Sequence, residues 1–417
     1  MSFWLVLVLI LALLVIFFLF PVGAWMKGLS RVTVLSESEG YTAQEEKKFA
    51  KLFEGNYYRK YLYPTMSSLR SLGDNTYLVN YQYEYDIDDL MKRGVSSATD
   101  LLRYASNRIL KDKIKFRMGK WGLGCSVFKA VNENGDNIVG RNFDYLDGPC
   151  YVVWTHPKNG YASVSMVDGT FMLTTDKLKP NSLLGRMQLM LSPYLCLDGM
   201  NEKGLIISVL QIKADGTKQD TGKPDMFVTA MIRCCLDKCE TVEQAIDMFG
   251  SFDIQDTVIF GGSLGCSFHY LISDINGNEA VIEYAANEMR VTRGKNLHVT
   301  NFYLDKDAPQ HTSKYKPEGM ERYDDMGKAL ELNNGVLTFE QAFNLLSRVH
   351  LNYRHDNNLY DVTTMWSCLY NSNKLTMSMA PRMDYDNIYT FSVTEPMKLY
   401  GHSSVPVTTP REGIGYH

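Results

Sequence analysis

The chain has 417 residues, of which 45% are apolar, 22% charged and 12% aromatic. This composition is typical of a folded protein with a large core, and it excludes an intrinsically disordered chain. The 43 Lys and Arg residues are balanced by 47 Asp and Glu residues. The resulting net charge of −4 offers no basic field to a phosphate backbone, so no nucleic-acid partner is predicted.

The amino end predicts a membrane-targeting segment over residues 1–24. Every residue from Phe3 to Phe20 is apolar, and as a helix this run would be ~27 Å long, close to the minimum for crossing a bilayer. The small residues Val22-Gly23-Ala24 suit cleavage of a signal peptide, whereas the basic residues that follow favour a retained anchor. We therefore expect a membrane-anchored or secreted cell-envelope protein and leave its side of the membrane open.

Residues 25–124 differ in pattern from the chain that follows. Helices are predicted over Thr42–Phe53 and around Ser97–Leu110. A basic stretch from Lys111 to Lys120 comes next. This stretch is either a solvated loop between two domains or a processing boundary ahead of the next strand.

The residues beyond Cys125 predict an α+β fold. Asn-Gly signals at 134–135, 159–160 and 276–277 each lie between β-rich runs and indicate hairpins in mostly antiparallel sheets. Helices are expected after Thr241 and Thr338, because a glutamine follows each threonine at the spacing of a capping box. Three of the eight cysteines lie on one predicted helix without the spacing of zinc ligands, so no metal site is predicted.

The first hairpin after residue 124 places a thiol beside a carboxylate. If Asn134-Gly135 is a two-residue type I′ turn, Cys125 lies directly opposite Asp144. In that register Arg141 points to the other face of the sheet. A bulge or twist near Gly140 would then be needed to bring Arg141 to the thiol.

These residue types have a joint chemical purpose if Cys125 is the first residue of a mature chain. Its α-amine, with an ordinary pKa of ~7.7 to 8.0, could then accept the thiol proton without a histidine. Asp144 would orient the ammonium, and Arg141 would favour the thiolate by Coulomb attraction. The alternative is that Cys125 is a small buried apolar residue, which is a common position for a free cysteine.

Ordered motifs along the chain resemble the linear-amide C–N hydrolases. These N-terminal-nucleophile enzymes include bile salt hydrolases, penicillin V acylases and, more distantly, acid ceramidase. The resemblance extends from Cys125 to about Val393, and its motifs are Gly124-Cys125-Ser126, Gly140-Arg141-Asn142-Phe143-Asp144, Asp198-Gly199-Met200-Asn201-Glu202-Lys203-Gly204-Leu205, Val299-Thr300-Asn301-Phe302, Glu321-Arg322-Tyr323 and Thr363 to Tyr370.

The resemblance implies a four-layer αββα sandwich over residues 125–417 and self-cleavage of the Gly124-Cys125 bond. Residues 25–124 would be a propeptide, as in acid ceramidase, whose precursor cuts itself before the cysteine. No external cofactor is implied. The catalytic residues carried over are the nucleophile, a conserved arginine and aspartate, two asparagines that would stabilise the oxyanion, and a downstream arginine: Cys125, Arg141, Asp144, Asn201, Asn301 and Arg322.

The expected substrate is a small-molecule amide with an apolar acyl group. The 26 Tyr, 21 Met and 19 Phe residues suit an apolar pocket, and a chain held at a membrane would meet amphiphilic amides easily. N-acyl amino acids, N-acyl lipids and conjugated bile acids therefore rank ahead of penicillin V. The sequence leaves open whether the protein is a homo-oligomer.

Two other interpretations stand beside the cysteine amidase. Gly261-Gly262-Ser263-Leu264-Gly265 matches the G-x-S-x-G pattern of serine α/β-hydrolases. A nucleophile elbow must open a helix, yet β-rich sequence follows Ser263, so a glycine turn between strands is favoured. The second alternative is a non-catalytic, membrane-anchored protein that binds a lipid-like ligand.

Overall fold

The computed structural model describes residues 42–113, 124–172, 179–256, 267–308, 318–353 and 362–407. The predicted membrane segment, most of the basic stretch and Ser263 lie outside these ranges. Within the ranges, no helix is both long and apolar enough to cross a bilayer.

The described residues contain α-helices, short π- and 3₁₀-helical turns, and β-strands. The α-helices are α1 (Ala43–Leu52), α2 (Tyr63–Ser67), α3 (Ile87–Arg93), α4 (Ala98–Leu110), α5 (Leu183–Gln188), α6 (Val228–Lys238), α7 (Val242–Gly250), α8 (Met320–Leu332) and α9 (Phe339–Arg348). The π-helical turn is Tyr58–Leu62, and the 3₁₀ turns are Gly169–Phe171 and Leu189–Leu195. The strands are β1 (Arg70–Gly73), β2 (Thr76–Asn80), β3 (Gly124–Val131), β4 (Asn137–Leu146), β5 (Cys150–Thr155), β6 (Ser163–Asp168), β7 (Cys196–Asn201), β8 (Ile206–Ile212), β9 (Asp225–Phe227), β10 (Asp253–Gln255), β11 (Ser267–Ser273), β12 (Glu279–Ala285), β13 (Glu288–Arg293), β14 (His298–Val299), β15 (Asn352–Tyr353), β16 (Val362–Asn371), β17 (Thr376–Pro381), β18 (Ile388–Ser392) and β19 (Leu399–Ser403).

Two large sheets dominate the described part of the chain. The first, which we call sheet A, has the order β1-β2-β5-β6-β7-β8-β11-β12-β13. The second, sheet B, has the order β14-β3-β4-β16-β17-β18-β19, and β15 also pairs with β16. Within these two sheets, only β2 and β5 pair in parallel among the described strands. The predicted α+β class with mostly antiparallel sheets is confirmed.

The sheets face each other, and helices cover their outer sides. Strand β3 of sheet B packs against β8 of sheet A. Helices α6 and α7 lie on the other side of sheet A, where the rings of Phe249 and Tyr270 are 4.6 Å apart. Helices α8 and α9 cover sheet B, and a separate apolar cluster that includes Phe128, Met326 and Phe343 fills that interface. The apolar faces of both sheets are thereby removed from water.

Residues 42–113 are part of this fold and not a separate body. Strands β1 and β2 form one edge of sheet A, and the helices beside them share the main apolar core. The Tyr85 hydroxyl donates to both oxygens of Asp237 on α6, at 2.9 and 2.7 Å. Asp237 also pairs with Arg233 at 2.8 Å, and all three side chains are buried. Whether this segment is a propeptide remains a prediction.

The predicted register of the first hairpin is wrong by one residue. Cys125 lies opposite Phe143, and Gly124 lies opposite Asp144. The turn has three loop residues because the side-chain oxygen of Asn132 accepts from the N–H groups of Asn134 and Asp136, at 2.9 and 2.8 Å. The backbone N–H of Asn132 donates to the Asp136 carbonyl at 2.8 Å. This arrangement extends the turn by one residue relative to a type I′ turn.

The corrected register reverses the expected faces of two site residues. Arg141 is two residues from Phe143, so it shares the face of Cys125 without any bulge at Gly140. Asp144 lies on the opposite face, beside α8 and α9. A bulge does occur nearby, but it lies in β16, between Thr364 and Trp366.

Several helix starts follow the sequence signals closely. Thr42 caps α1 and Thr338 caps α9, each with the full capping box. Ser97 caps α4, and Thr241 caps α7 through a hydrogen bond from the N–H of Gln244. These side chains satisfy N–H groups that the first helical turn leaves unpaired.

Candidate active site

The backbone of Cys125 is held on both sides by side chains from another part of the chain. Its N–H donates to Asn301 Oδ1 at 2.8 Å. Its carbonyl oxygen accepts from Arg322 Nη1 at 2.6 Å, and Arg322 Nη2 donates to the same Asn301 oxygen at 2.8 Å. Arg322 comes from the first turn of α8 and Asn301 from the segment after β14. Together they fix the position of the strand end that carries the thiol.

Arg141 lies beside the thiol in the space between the two sheets. Its Nε donates to Asp198 Oδ2 at 2.8 Å, and both side chains are completely buried. Asp198 also accepts hydrogen bonds from the Trp366 indole, at 3.2 Å, and from the Tyr370 hydroxyl. Among the described residues, Arg141 Nη2 has no hydrogen-bond partner. Asp198 therefore orients the guanidinium while one of its nitrogens remains available.

The thiol of Cys125 is fully buried in the full-length chain. Burial raises its pKa, and the positive charge of Arg141 opposes that shift. A buried sulfur with a raised pKa is a thiol at neutral pH and a weak nucleophile. In the uncut chain the sulfur is therefore a neutral thiol.

Asp144 lies on the other face of the hairpin, where it meets Arg322. Burial raises the pKa of its carboxyl to about 6, although the Arg322 charge and a hydrogen bond from Thr364 both act to lower it. The distance from Arg322 Nη1 to Asp144 Oδ2 is 3.4 Å. Arg322 Nη1 also donates to Ser126 Oγ at 2.8 Å. Arg322 therefore links the Asp144 carboxylate to the backbone of Cys125, and the Asp144 charge also acts to raise the pKa of the Cys125 thiol.

The expected role of Asn201 needs correction. Its Nδ2 donates to the carbonyl oxygens of Leu236 and Cys239 at 2.9 and 2.8 Å. Its Oδ1 accepts from the N–H groups of Lys203 and Leu205 at 3.1 and 3.0 Å. Both amide hydrogens already have backbone acceptors, so Asn201 has no donor for an oxyanion at Cys125. It ties the β7–β8 turn to α6 instead.

The structure thus brings five of the six predicted site residues together, and it adds Asp198. The sequence offered a signal for Asp198, since a carboxylate within an otherwise apolar strand requires a buried partner. Asn301 Nδ2 donates to the carbonyl oxygen of Gln211 at 2.9 Å. Among the described residues, no group of three or more His, Cys, Asp or Glu side chains is arranged to hold a metal ion.

Comparison with known proteins confirms the family resemblance over part of the chain. Residues 125–315 match the linear amide C-N hydrolases, choloylglycine hydrolase family. A penicillin V acylase from Pectobacterium atrosepticum is 31% identical over 188 residues, which cover 42% of this chain. The match spans about half of that relative's length, 48%.

Solved structures of similar proteins include a variant of the conjugated bile acid hydrolase from Clostridium perfringens. It has a TM-score of 0.47 and 16% identity, with coverage of 69% of this chain and 100% of that chain. Penicillin V acylase from Agrobacterium tumefaciens has a TM-score of 0.37 and 14% identity, with coverage of 70% and 100%.

Proposed function

We propose that this protein hydrolyses linear amides with Cys125 as its nucleophile. Residues 125–315 match the choloylglycine hydrolase family, and Cys125 is the first residue of that match. The observation that carries the proposal is that Asn301 binds the N–H of Cys125 while Arg322 binds its carbonyl oxygen. The chain would take the N-terminal-nucleophile fold, with helix layers outside two facing sheets.

The first step of the proposal is scission of the Gly124-Cys125 peptide bond. The Cys125 sulfur attacks the Gly124 carbonyl carbon, the C–N bond breaks, and the acyl group moves to sulfur as a thioester. The thiol proton goes to the released nitrogen. Water then hydrolyses the thioester and leaves a Gly124 carboxylate and a Cys125 residue with a free thiol and a free α-amine.

The new amine makes the sulfur reactive. It accepts the thiol proton, its ammonium form donates to Asn301 Oδ1, and the Asp144 carboxylate stabilises the positive charge. The nearby Arg141 guanidinium then stabilises the thiolate, which attacks the substrate carbonyl. After the C–N bond breaks, the ammonium returns its proton to the leaving amine, and water releases the acid from the thioester.

The oxyanion needs donors other than Asn201. We assign Arg141 Nη2, which has no hydrogen-bond partner among the described residues, and the second amide hydrogen of Asn301. Preorganised donors of this kind are typically worth about 10²–10³ in rate each.

The uncut chain is an inactive precursor in this proposal. Cys125 is buried and has no free amine before scission, so it should not act on an external amide. Residues 25–124 would be the propeptide, although residues 42–113 contribute strands to sheet A. Residues 1–24 would hold the protein at a membrane or export it to the cell envelope.

The proposed substrates are amphiphilic N-acyl compounds: N-acyl amino acids, N-acyl lipids or conjugated bile acids. The support is the match to the choloylglycine hydrolase family and to a penicillin V acylase, together with an apolar segment that would place the protein near lipid. A panel of such amides, scored by the amine released, measures the preference directly.

Intact-mass analysis of the purified full chain tests the proposal. We expect two pieces that part between Gly124 and Cys125, and one uncut chain for Cys125→Ala. Cys150→Ala is the matched control, because that cysteine is equally buried on β5, and it should still be cut. Full amidase activity in Cys125→Ala, with loss of activity in Ser263→Ala, would transfer the role to the serine.

A further inference from the structure

A buried histidine joins the two sheets beside the candidate active site. His269 on β11 of sheet A is completely buried. Its Nε2 lies 2.7 Å from the carbonyl oxygen of Thr300, which follows β14 of sheet B. Its Nδ1 lies 3.0 Å from Glu283 Oε1 on β12, directly opposite in the sheet. Thr300 precedes Asn301, the residue that accepts the Cys125 N–H.

The contact with a carbonyl oxygen fixes one hydrogen of the ring. A carbonyl oxygen can only accept, so Nε2 carries a hydrogen and donates it to Thr300. Glu283 accepts two further backbone hydrogen bonds, from Leu304 N at 2.8 Å and from Asp305 N at 3.0 Å. Glu283 therefore contacts the ring at Nδ1 and holds the backbone of the segment after β14 at the same time.

We propose that His269 is a positioning residue for the cysteine site, held in place by Glu283 and donating to the Thr300 carbonyl so that Asn301 meets Cys125. This inference rests on the proposed function. It assigns His269 no contact with substrate, because its two partners are a carboxylate and a backbone carbonyl.

The segment after β14 depends on this pair for its place. Glu283 binds the N–H groups of Leu304 and Asp305, and His269 binds the carbonyl of Thr300, so these two contacting side chains hold both ends of a five-residue stretch. Asn301 lies within this stretch, and its Oδ1 is 2.8 Å from the backbone nitrogen of Cys125. A displacement of about 1 Å at a positioning group can cost ~10²-fold in rate.

Side chains from β8, β13 and the segment after β14 lie near His269 and Glu283 among the described residues. Arg290 on β13 lies opposite Glu283, and its Nε is 3.6 Å from Asp305 Oδ2. The phenols of Tyr303 and Tyr323 are neutral, because burial raises the pKa of each. On β8 the residue opposite His269 is the apolar Leu210.

Two substitutions separate the two contacts of the ring. Glutamine places an amide N–H₂ near the position of Nε2, so His269→Gln keeps the donor to Thr300. Asparagine places it near the position of Nδ1, so His269→Asn keeps the donor to Glu283. Each variant leaves one partner unmet, so the melting temperature of each is measured beside its rates.

The kinetic experiment compares these variants in the full chain. We expect His269→Asn to slow scission before Cys125 and to lower kcat of the cut enzyme by about 10²-fold with KM little changed. His269→Gln should recover most of both rates. Equal losses in the two variants, or losses that follow melting temperature, would overturn the positioning role.

A second measurement is independent of activity. With ¹⁵N-labelled histidine, the signal that His269→Gln removes from among the 8 histidines of the chain belongs to His269. We expect that signal to show a hydrogen on Nε2, the nitrogen that faces the Thr300 carbonyl. A ring without a hydrogen on Nε2 would overturn the inference. A wild-type chain that neither cuts itself nor hydrolyses amides, yet shows the Nε2 hydrogen, would refute the proposed function and leave the hydrogen bond to Thr300 established.

Discussion

The hydrogen bonds from Tyr85 to Asp237 give the most direct test of how residues 42–113 are joined to the rest of the molecule. Tyr85→Phe removes one hydroxyl that contacts both carboxylate oxygens, at 2.9 and 2.7 Å. Both side chains are about 1% exposed, so water cannot replace the lost donor. A hydrogen bond to a charged group is worth ~1.5–3 kcal/mol, and that is the expected loss in the free energy of unfolding.

The loss should depend on pH with a definite sign. Burial raises the pKa of Asp237 to about 6, while Arg233 and the Tyr85 hydrogen bond act to lower it. Because the pKa of Asp237 is raised in the folded state, its carboxyl contributes fully to stability below pH ~3.9, the pKa of the unfolded chain. That contribution is lost as pH rises through about 6. Removal of the Tyr85 donor raises the pKa of Asp237 further and enlarges that loss. Tyr85→Phe should therefore lower the free energy of unfolding more at about pH 7.5 than at about pH 5.

The assay is urea unfolding of the full chain at both pH values, in a Cys125→Ala background that keeps the chain in one piece. Tyr81→Phe is the matched control, because the Tyr81 hydroxyl donates to a neutral acceptor, the Met190 carbonyl, at 3.0 Å. It should cost ~1 kcal/mol at both pH values. Equal losses for Tyr85→Phe at the two pH values, or a loss no greater than that of Tyr81→Phe, would refute the reasoning.

Three further predictions follow from the site, all measurable in the same uncut background or by intact mass. Asp198→Asn should lower the free energy of unfolding by ~3–5 kcal/mol, because Arg141 is left buried without its anion; an unchanged urea midpoint would contradict the pairing. Asn201→Ala should cost ~2–4 kcal/mol through its four backbone hydrogen bonds, yet leave the scission rate of folded protein unchanged; a loss of 10²-fold or more would restore its role as an oxyanion donor. Burial raises the pKa of Asp144 to about 6, so the contribution of this carboxyl to stability is lost as pH rises from ~4 to about 6. Over that range the free energy of unfolding of Asp144→Asn should rise by up to ~3 kcal/mol relative to that of the parent. Parallel pH curves for parent and variant would show that Asp144 is not desolvated.

Three residues of the candidate site could be predicted from the sequence because their signals are local. Cys125, Arg141 and Asp144 lie on one hairpin, and their separation along the chain limits them to a few registers. Asn301 and Arg322 were found only through the resemblance, since neither a strand-end asparagine nor a helix-start arginine is unusual by itself. The contacts of both with Cys125 depend on how α8 and the segment after β14 pack against β3.

The errors have a common physical cause. The predicted hairpin register was wrong by one residue because the side chain of Asn132 accepts hydrogen bonds from the turn backbone. The Asn-Gly pattern alone does not indicate these side-chain hydrogen bonds. That single residue decided which of Arg141 and Asp144 faces the sulfur. Asn201 was placed at the site by its motif, yet its four hydrogen bonds all go to nearby backbone groups.

The sequence by itself determined the α+β class, the helix starts at Thr42, Ser97, Thr241 and Thr338, and the strand that begins at the candidate nucleophile, because apolar periodicity and capping act between residues close in the chain. Only the tertiary structure decided that Asp198 orients Arg141, that His269 and Glu283 hold the segment of Asn301, and that residues 42–113 extend sheet A. Those contacts join residues tens to more than a hundred positions apart, and their burial makes each polar group depend on a partner that no local pattern can name.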